Sequence, residues 1–201
     1  MPNTARAAEV TFNATTCGYF NGASSSCTGT FTTGESATLA GLTYTNATFT
    51  GTTSMGFLGI GNTAPSGVDN LGAISLSTAP FNYTGNTFTL MVQFTAPAGI
   101  SGGQTATYTA TLTGNTLTGA GGGVNIAFDG SATQTFTFAD GTGTFTMHVN
   151  DIAVIAGAGP TAVTGYITGA TQTVTPEPAS LMLLGTGLAG LGLVTRRRMK
   201  K

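Results

Sequence analysis

The chain has no tryptophan, one histidine and two cysteines, and charged side chains make up 6% of its 201 residues. These shortages exclude whole classes of function. Acid–base catalysis needs groups that exchange protons near neutral pH. Residues 1–170 offer His148 and six carboxylates, Glu9, Glu35, Asp69, Asp129, Asp140 and Asp151, which do not cluster in sequence. No serine stands in a nucleophile-elbow context. An enzyme is therefore not expected, and His148, between Met147 and Val149, reads as a solvated histidine on the polar side of a strand. Arg6 is the one basic residue in positions 1–195, too little positive charge to neutralise a phosphate backbone, so nucleic acid is excluded as a partner. Leucine, lysine, glutamate and arginine are scarce outside the C-terminal segment, which argues against helices in the body. No repeat of fixed period is present, which argues against a solenoid or β-helix.

Threonine and glycine dominate what is present. From Thr87 to Thr95 the residues alternate, with Phe88, Leu90, Val92 and Phe94 on one side. Thr105 to Thr113 alternates more strictly, with Ala106, Tyr108, Ala110 and Leu112 inward and five threonines outward. A period of two is the mark of a half-buried strand. Val124, Ile126 and Phe128, then Phe136 and Phe138, then Phe145, Met147 and Val149 continue the pattern, separated by Asp129-Gly130 and Asp140-Gly141-Thr142-Gly143. Aspartate-glycine supplies the positive φ that tight hairpins need, so 123–149 is expected to form a three-stranded antiparallel meander. Weaker strands are expected at 28–33, 38–50, 72–77, 152–156 and 161–169, with a bulge or turn where the inward phase shifts at Asn46. About ten short strands without helical periodicity predict an all-β, antiparallel two-sheet β-sandwich over residues 9–172, since two one-sided sheets must cover each other.

Cys17 and Cys27, with nine residues of a turn-rich stretch between them, are expected to form a disulfide in an oxidising compartment. Closing such a loop stabilises a fold by about 2–3 kcal/mol in the chain-entropy model. The spacing does not suit zinc, and no metal or cofactor is expected. Calcium at Asp129, Asp140 and Asp151 is the alternative, although turn chemistry accounts for Asp129 and Asp140 without it. A sugar site usually stacks a pyranose on an aromatic ring. Tyr19, Tyr44, Tyr83, Tyr108 and Tyr166 are available, with Tyr108 committed to the core and the others showing no pattern.

The C-terminus has three elements in order. Pro176-Glu177-Pro178 comes first, then the uncharged run Ala179 to Val194, then Arg196, Arg197, Arg198, Met199, Lys200 and Lys201. The prolines cannot donate backbone hydrogen bonds and keep the junction extended. The run is short for a bilayer, about 24 Å as a helix against about 30 Å of hydrocarbon, so a transmembrane helix over 179–195 leans on Thr195 and snorkelling arginines. The basic tail at 196–201 is retained on the cytoplasmic side and leaves the body outside the cytoplasmic membrane.

Together these elements resemble the PEP-CTERM sorting signal of exported bacterial proteins, a tail also labelled after the C-terminus of ice-binding proteins. The resemblance covers about residues 175–201. It implies that an exosortase, a membrane-embedded transpeptidase-like protease, recognises Pro176, Glu177 and Pro178 and cuts near them. It further implies a surface or secreted destination, often alongside exopolysaccharide. Export also calls for an N-terminal signal, yet Met1 to Ala8 has no apolar core. Ala5-Arg6-Ala7 has the small-residue spacing of a signal-peptidase site, so residues 1–8 read as the remnant of an export signal, with a disordered N-terminus as the alternative. The expected function is that of a non-catalytic surface or matrix protein, membrane-anchored and then processed, with a structural or adhesive role. A glycan- or ice-binding module is the alternative.

Overall fold

The computed structural model describes residues 9–23, 27–61, 69–101, 103–119, 121–128, 130, 132–139, 141, 143–170 and 186. The chain divides into two units, Ala7–Gln172 and the chain ends Met1–Arg6 with Thr173–Lys201. The first unit is all-β. Its strands are β1 (Thr11–Phe20), β2 (Ser36–Leu39), β3 (Leu42–Thr45), β4 (Thr48–Thr52), β5 (Leu58–Ile60), β6 (Ala73–Leu76), β7 (Phe81–Asn82) and β8 (Thr87–Ala96). There follow β9 (Ile100–Ser101), β10 (Thr105–Leu117), β11 (Gly121–Ala127), β12 (Thr133–Phe138), β13 (Thr144–Val149), β14 (Ile152–Ile155), β15 (Thr161–Ala162) and β16 (Gly165–Thr168).

All pairings given by the strand registers are antiparallel. A seven-stranded sheet runs β14-β11-β10-β8-β1-β4, with β7 also on β10; a five-stranded sheet runs β5-β16-β13-β12-β9; a four-stranded sheet runs β15-β6-β3-β2. The inner face of the large sheet packs against both smaller ones. Phe12 and Phe94 meet Phe145 with ring centroids 4.8 and 5.5 Å apart, and Phe94 meets Phe136 at 5.6 Å, which joins it to the five-stranded sheet. Tyr44 meets Phe88 at 5.1 Å, which joins it to the four-stranded sheet. These edge-on and tilted aromatic pairs are the favoured geometries for buried rings. Leu71 N–H donates to the Val163 carbonyl at 2.9 Å and Val163 N–H to the Gly72 carbonyl at 2.8 Å, which extends the β6–β15 pairing of the four-stranded sheet toward β16.

The described residues thus form three sheets where the sequence led us to expect two. The strands at 87–95 and 105–113 are present as β8 and β10, with Phe88, Leu90, Val92, Phe94, Ala106, Tyr108, Ala110 and Leu112 all buried. The phase shift at Asn46 is the point where the chain leaves β3 in the four-stranded sheet for β4 in the seven-stranded one. The meander over 123–149 is not formed. β12 and β13 are a hairpin, but β11 has β10 and β14 on its two sides and β12 lies in another sheet. The reason is that β10 offers seven partners to β11, from Thr111 to Leu117, so the strand that follows, β12, pairs in the five-stranded sheet instead of turning back on β11. Residues 28–33 are not a strand either, because Gly29 at φ 79° breaks the extended run. β1 was not anticipated, nor were the short β5, β7 and β9.

Two buried hydroxyls tie the layers together. The Tyr44 hydroxyl donates to the Leu71 carbonyl at 2.6 Å and lies 2.7 Å from Thr16 Oγ1, which itself accepts from Ala47 N–H at 2.9 Å. Burial pushes its pKa well above the ordinary tyrosine value, with the Thr16 hydrogen bond opposing. Burial alone raises that of Tyr108, whose hydroxyl reaches the Met147 carbonyl at 3.4 Å across the core.

Candidate functional site

The two cysteines are joined, with Cα atoms 5.6 Å apart. Cys17 is on the outward side of β1, so the disulfide pulls the following loop across the outside of the large sheet. There Phe31 packs with the cystine, Tyr19 and Met91 in a second small apolar cluster, separate from the main core. Gln93 fastens the loop from below: its Oε1 accepts from Phe31 N–H at 3.4 Å and its Nε2 donates to the Gly29 carbonyl at 3.2 Å.

The candidate acid–base groups are not brought together. Among the described residues, no group of three or more histidine, cysteine or acidic side chains stands close enough to hold a metal ion. Glu9, Glu35, Asp69 and Asp151 are exposed, and Asp151 Oδ1 accepts from Phe128 N–H at 2.8 Å, a structural bond. Asp129 and Asp140 lie outside the described residues. His148 Nδ1 is 2.8 Å from Thr133 Oγ1 on the outer face of the five-stranded sheet.

Both outer faces carry threonine. Thr105, Thr107, Thr109, Thr111 and Thr113 are all exposed in one file along β10. On the five-stranded sheet, Thr135 Oγ1 is 3.1 Å from Thr146 Oγ1, and Thr146 is opposite Thr168. Beside them is a feature that single-residue reading missed. His148 pairs with Tyr166 in register and their rings stack 4.7 Å apart, while Phe57 stacks on Tyr166 at 6.0 Å. The interplanar angle is 25° in both cases, so the rings stand like cards on the sheet and turn their edges to solvent.

Phe57 follows a two-residue turn. Ser54 and Phe57 exchange both backbone hydrogen bonds, at 2.9 and 3.0 Å, while Met55 at φ 52° and Gly56 at φ 79° form the tip. Two successive positive φ values are the type I′ pattern, which favours asparagine at the first position. A methionine there is strained by about 1–2 kcal/mol. It also projects fully into solvent, 101% exposed, next to Phe57 at 52%. Ala170, near the end of the β unit, donates its N–H to the Gly56 carbonyl at 3.2 Å, so the end of the β unit lies beside this tip. The local signal was the Met55-Gly56 dipeptide between Ser54 and Phe57, which sequence alone does not separate from an ordinary surface turn.

Pro176, Glu177, Pro178, Arg196, Arg197, Arg198, Lys200 and Lys201 lie outside the described residues, as does the expected helix over 179–195 apart from Thr186, which is helical and exposed. No helix among the described residues is long and apolar enough to cross a membrane. Residues 174–198 match the PEP-CTERM protein-sorting motif, which implies exosortase-dependent sorting to the cell surface. No curated protein and no solved structure matches the chain.

Proposed function

We propose that this is an exported, non-catalytic surface or extracellular-matrix protein. Its apolar run 179–194 anchors it in the cytoplasmic membrane with the β body outside, until an exosortase cuts near Pro176-Glu177-Pro178. The observation that carries the reading is the sorting motif at 174–198, attached to a body whose two cysteines are oxidised. Disulfides persist outside the reducing cytosol, so motif and cystine point to the same side of the membrane. The basic residues after the run fit retention of the tail end on the cytoplasmic face. A body surfaced with threonine and nearly free of charge suits structural or adhesive service, since it offers hydroxyls and little electrostatic preference.

Intact-mass measurement of the protein recovered from its native host tests this. The expected product is oxidised at Cys17 and Cys27, ends near residue 177 and is found at the surface or in the medium. Full-length protein in the cytosol with reduced thiols would overturn it. The exposed threonine file on β10 favours a second reading, a surface that binds glycan or orders water at ice. Retention of the body on extracellular polysaccharide, or shaping of ice crystals by it, would put that reading first.

A further inference from the structure

We infer that the Met55-Gly56-Phe57 tip is an interfacial membrane contact that seats the β body on the bilayer holding its own tail. The inference rests on the reading above that the run 179–194 enters a bilayer. Three observations support it.

Residues 171–178 are all that separates Ala170 from the apolar run, and at full extension that stretch spans at most about 30 Å. Ala170 is hydrogen-bonded to Gly56, so the pole of the body that carries the tip is tethered near the membrane surface. That pole shows the bilayer its most exposed apolar side chain, Met55, beside Phe57. An unbranched thioether and an aromatic ring suit the headgroup–acyl boundary, where apolar side chains are buried a few ångströms deep. Phe57 is braced from behind by the Tyr166 and His148 rings, and tyrosine is, with tryptophan, one of the two side chains enriched at membrane–water interfaces. The remaining exposed large apolar residues, Phe81, Leu117 and Ile155, lie elsewhere, on or beside β10, β11 and β14. The described residues include no lysine or arginine, and Glu9 is next to Val10, whose N–H donates to Thr53 Oγ1 at 2.9 Å, two residues before Met55. The interface the tip fits is therefore zwitterionic, without need of anionic lipid.

Retaining a methionine at positive φ is then explained by its apolar reach. Asparagine would relieve the turn but could not enter lipid. Docking by the tip also holds the Pro-Glu-Pro segment close to the membrane surface, within reach of a membrane-embedded protease.

The absence of tryptophan makes the test direct. Full-length chain carrying Phe57→Trp, and separately Leu117→Trp, is reconstituted into phosphatidylcholine vesicles with and without brominated acyl chains, and flotation after carbonate washing scores tail insertion. The expected result is that both variants float, Phe57→Trp loses about half its emission or more to the bromines, and Leu117→Trp keeps its own. Adding Met55→Asn, a substitution the turn favours, should restore most of the Phe57→Trp emission without affecting flotation. Chains that float with Phe57→Trp unquenched, with both tryptophans quenched alike, or with quenching indifferent to Met55→Asn overturn the contact and leave the anchoring reading intact. Chains that fail to float overturn the anchoring and the contact together.

Discussion

β1 and β10 belong to one sheet with β8 between them, yet they occupy different surroundings. β10 has the core on one side and water on the other: Ala106, Tyr108, Ala110 and Leu112 are buried while the threonines between them are exposed. β1 is covered on both sides at its middle, where Thr16, Cys17 and Gly18 are buried in succession. Phe12, Ala14, Thr16, Gly18 and Phe20 face the core, and Cys17 on the opposite side is sealed under the disulfide loop and Phe31. One strand is therefore a boundary along its length and the other is interior at Cys17, and the difference is made by a loop held by a single covalent bond. Tolerance to substitution should follow that division.

The largest effect is expected at Gly18. A Cβ there would meet the Tyr44 ring at 2.5 Å and the Phe88 ring at 2.8 Å, and neither ring has room to move in a packed core. Gly18→Val should cost about 3 kcal/mol, measured as a lower denaturation midpoint at unchanged slope. Next is the loop. Cys17→Ser with Cys27→Ser should cost about 2–3 kcal/mol and make Met91 open to peroxide, detectable as a new sulfoxide by peptide mapping. If Met91 stays protected, the loop holds without its bond and the contrast between the strands is not covalent in origin.

The buried tyrosines sharpen the comparison, one bonded to β1 and one carried by β10. Tyr44→Phe strands the Leu71 carbonyl and takes one hydrogen bond from the Thr16 hydroxyl, which keeps Ala47, and should cost about 1–2 kcal/mol, whereas Tyr108→Phe gives up a single 3.4 Å contact and should cost less. Burial keeps both hydroxyls protonated above the ordinary value of 10.0, so as pH rises the unfolded chain loses these protons first. Stability should be level below pH 10 and fall above it, by about 1.4 kcal/mol per pH unit for each tyrosine. Either Phe variant should make that fall shallower in alkaline denaturation. The smallest effect is expected on the outside of β10, where Thr109→Val should shift stability by no more than about 0.5 kcal/mol.

The same division decides what sequence could reveal. β8 and β10 were legible because one-sided burial writes an alternating pattern. β1 wrote none, since Thr16, Cys17 and Gly18 are buried in succession. Asp129-Gly130 looked like a hairpin because dipeptide chemistry reports that a chain bends, not which sheet it enters next. The sorting motif was legible, for it is a linear signal that needs no fold to be read. The tip was hidden for the opposite reason: Met55 and Phe57 are ordinary core-type residues, and only the turn between Ser54 and Phe57, with Ala170 alongside, sets them outside and beside the end of the β unit.

Where the C-terminal segment leaves the body also fixes how the molecule answers a mechanical load. Tension arriving through the tail falls first on the Ala170 to Gly56 bond, then on the last residues of β16, whose partners on β5 and β13 run antiparallel to it with bonds perpendicular to the strands. Force applied across β16 would load these bonds one rung at a time, and this short strand, ahead of the long central β8 and β10, is the first to carry the pull.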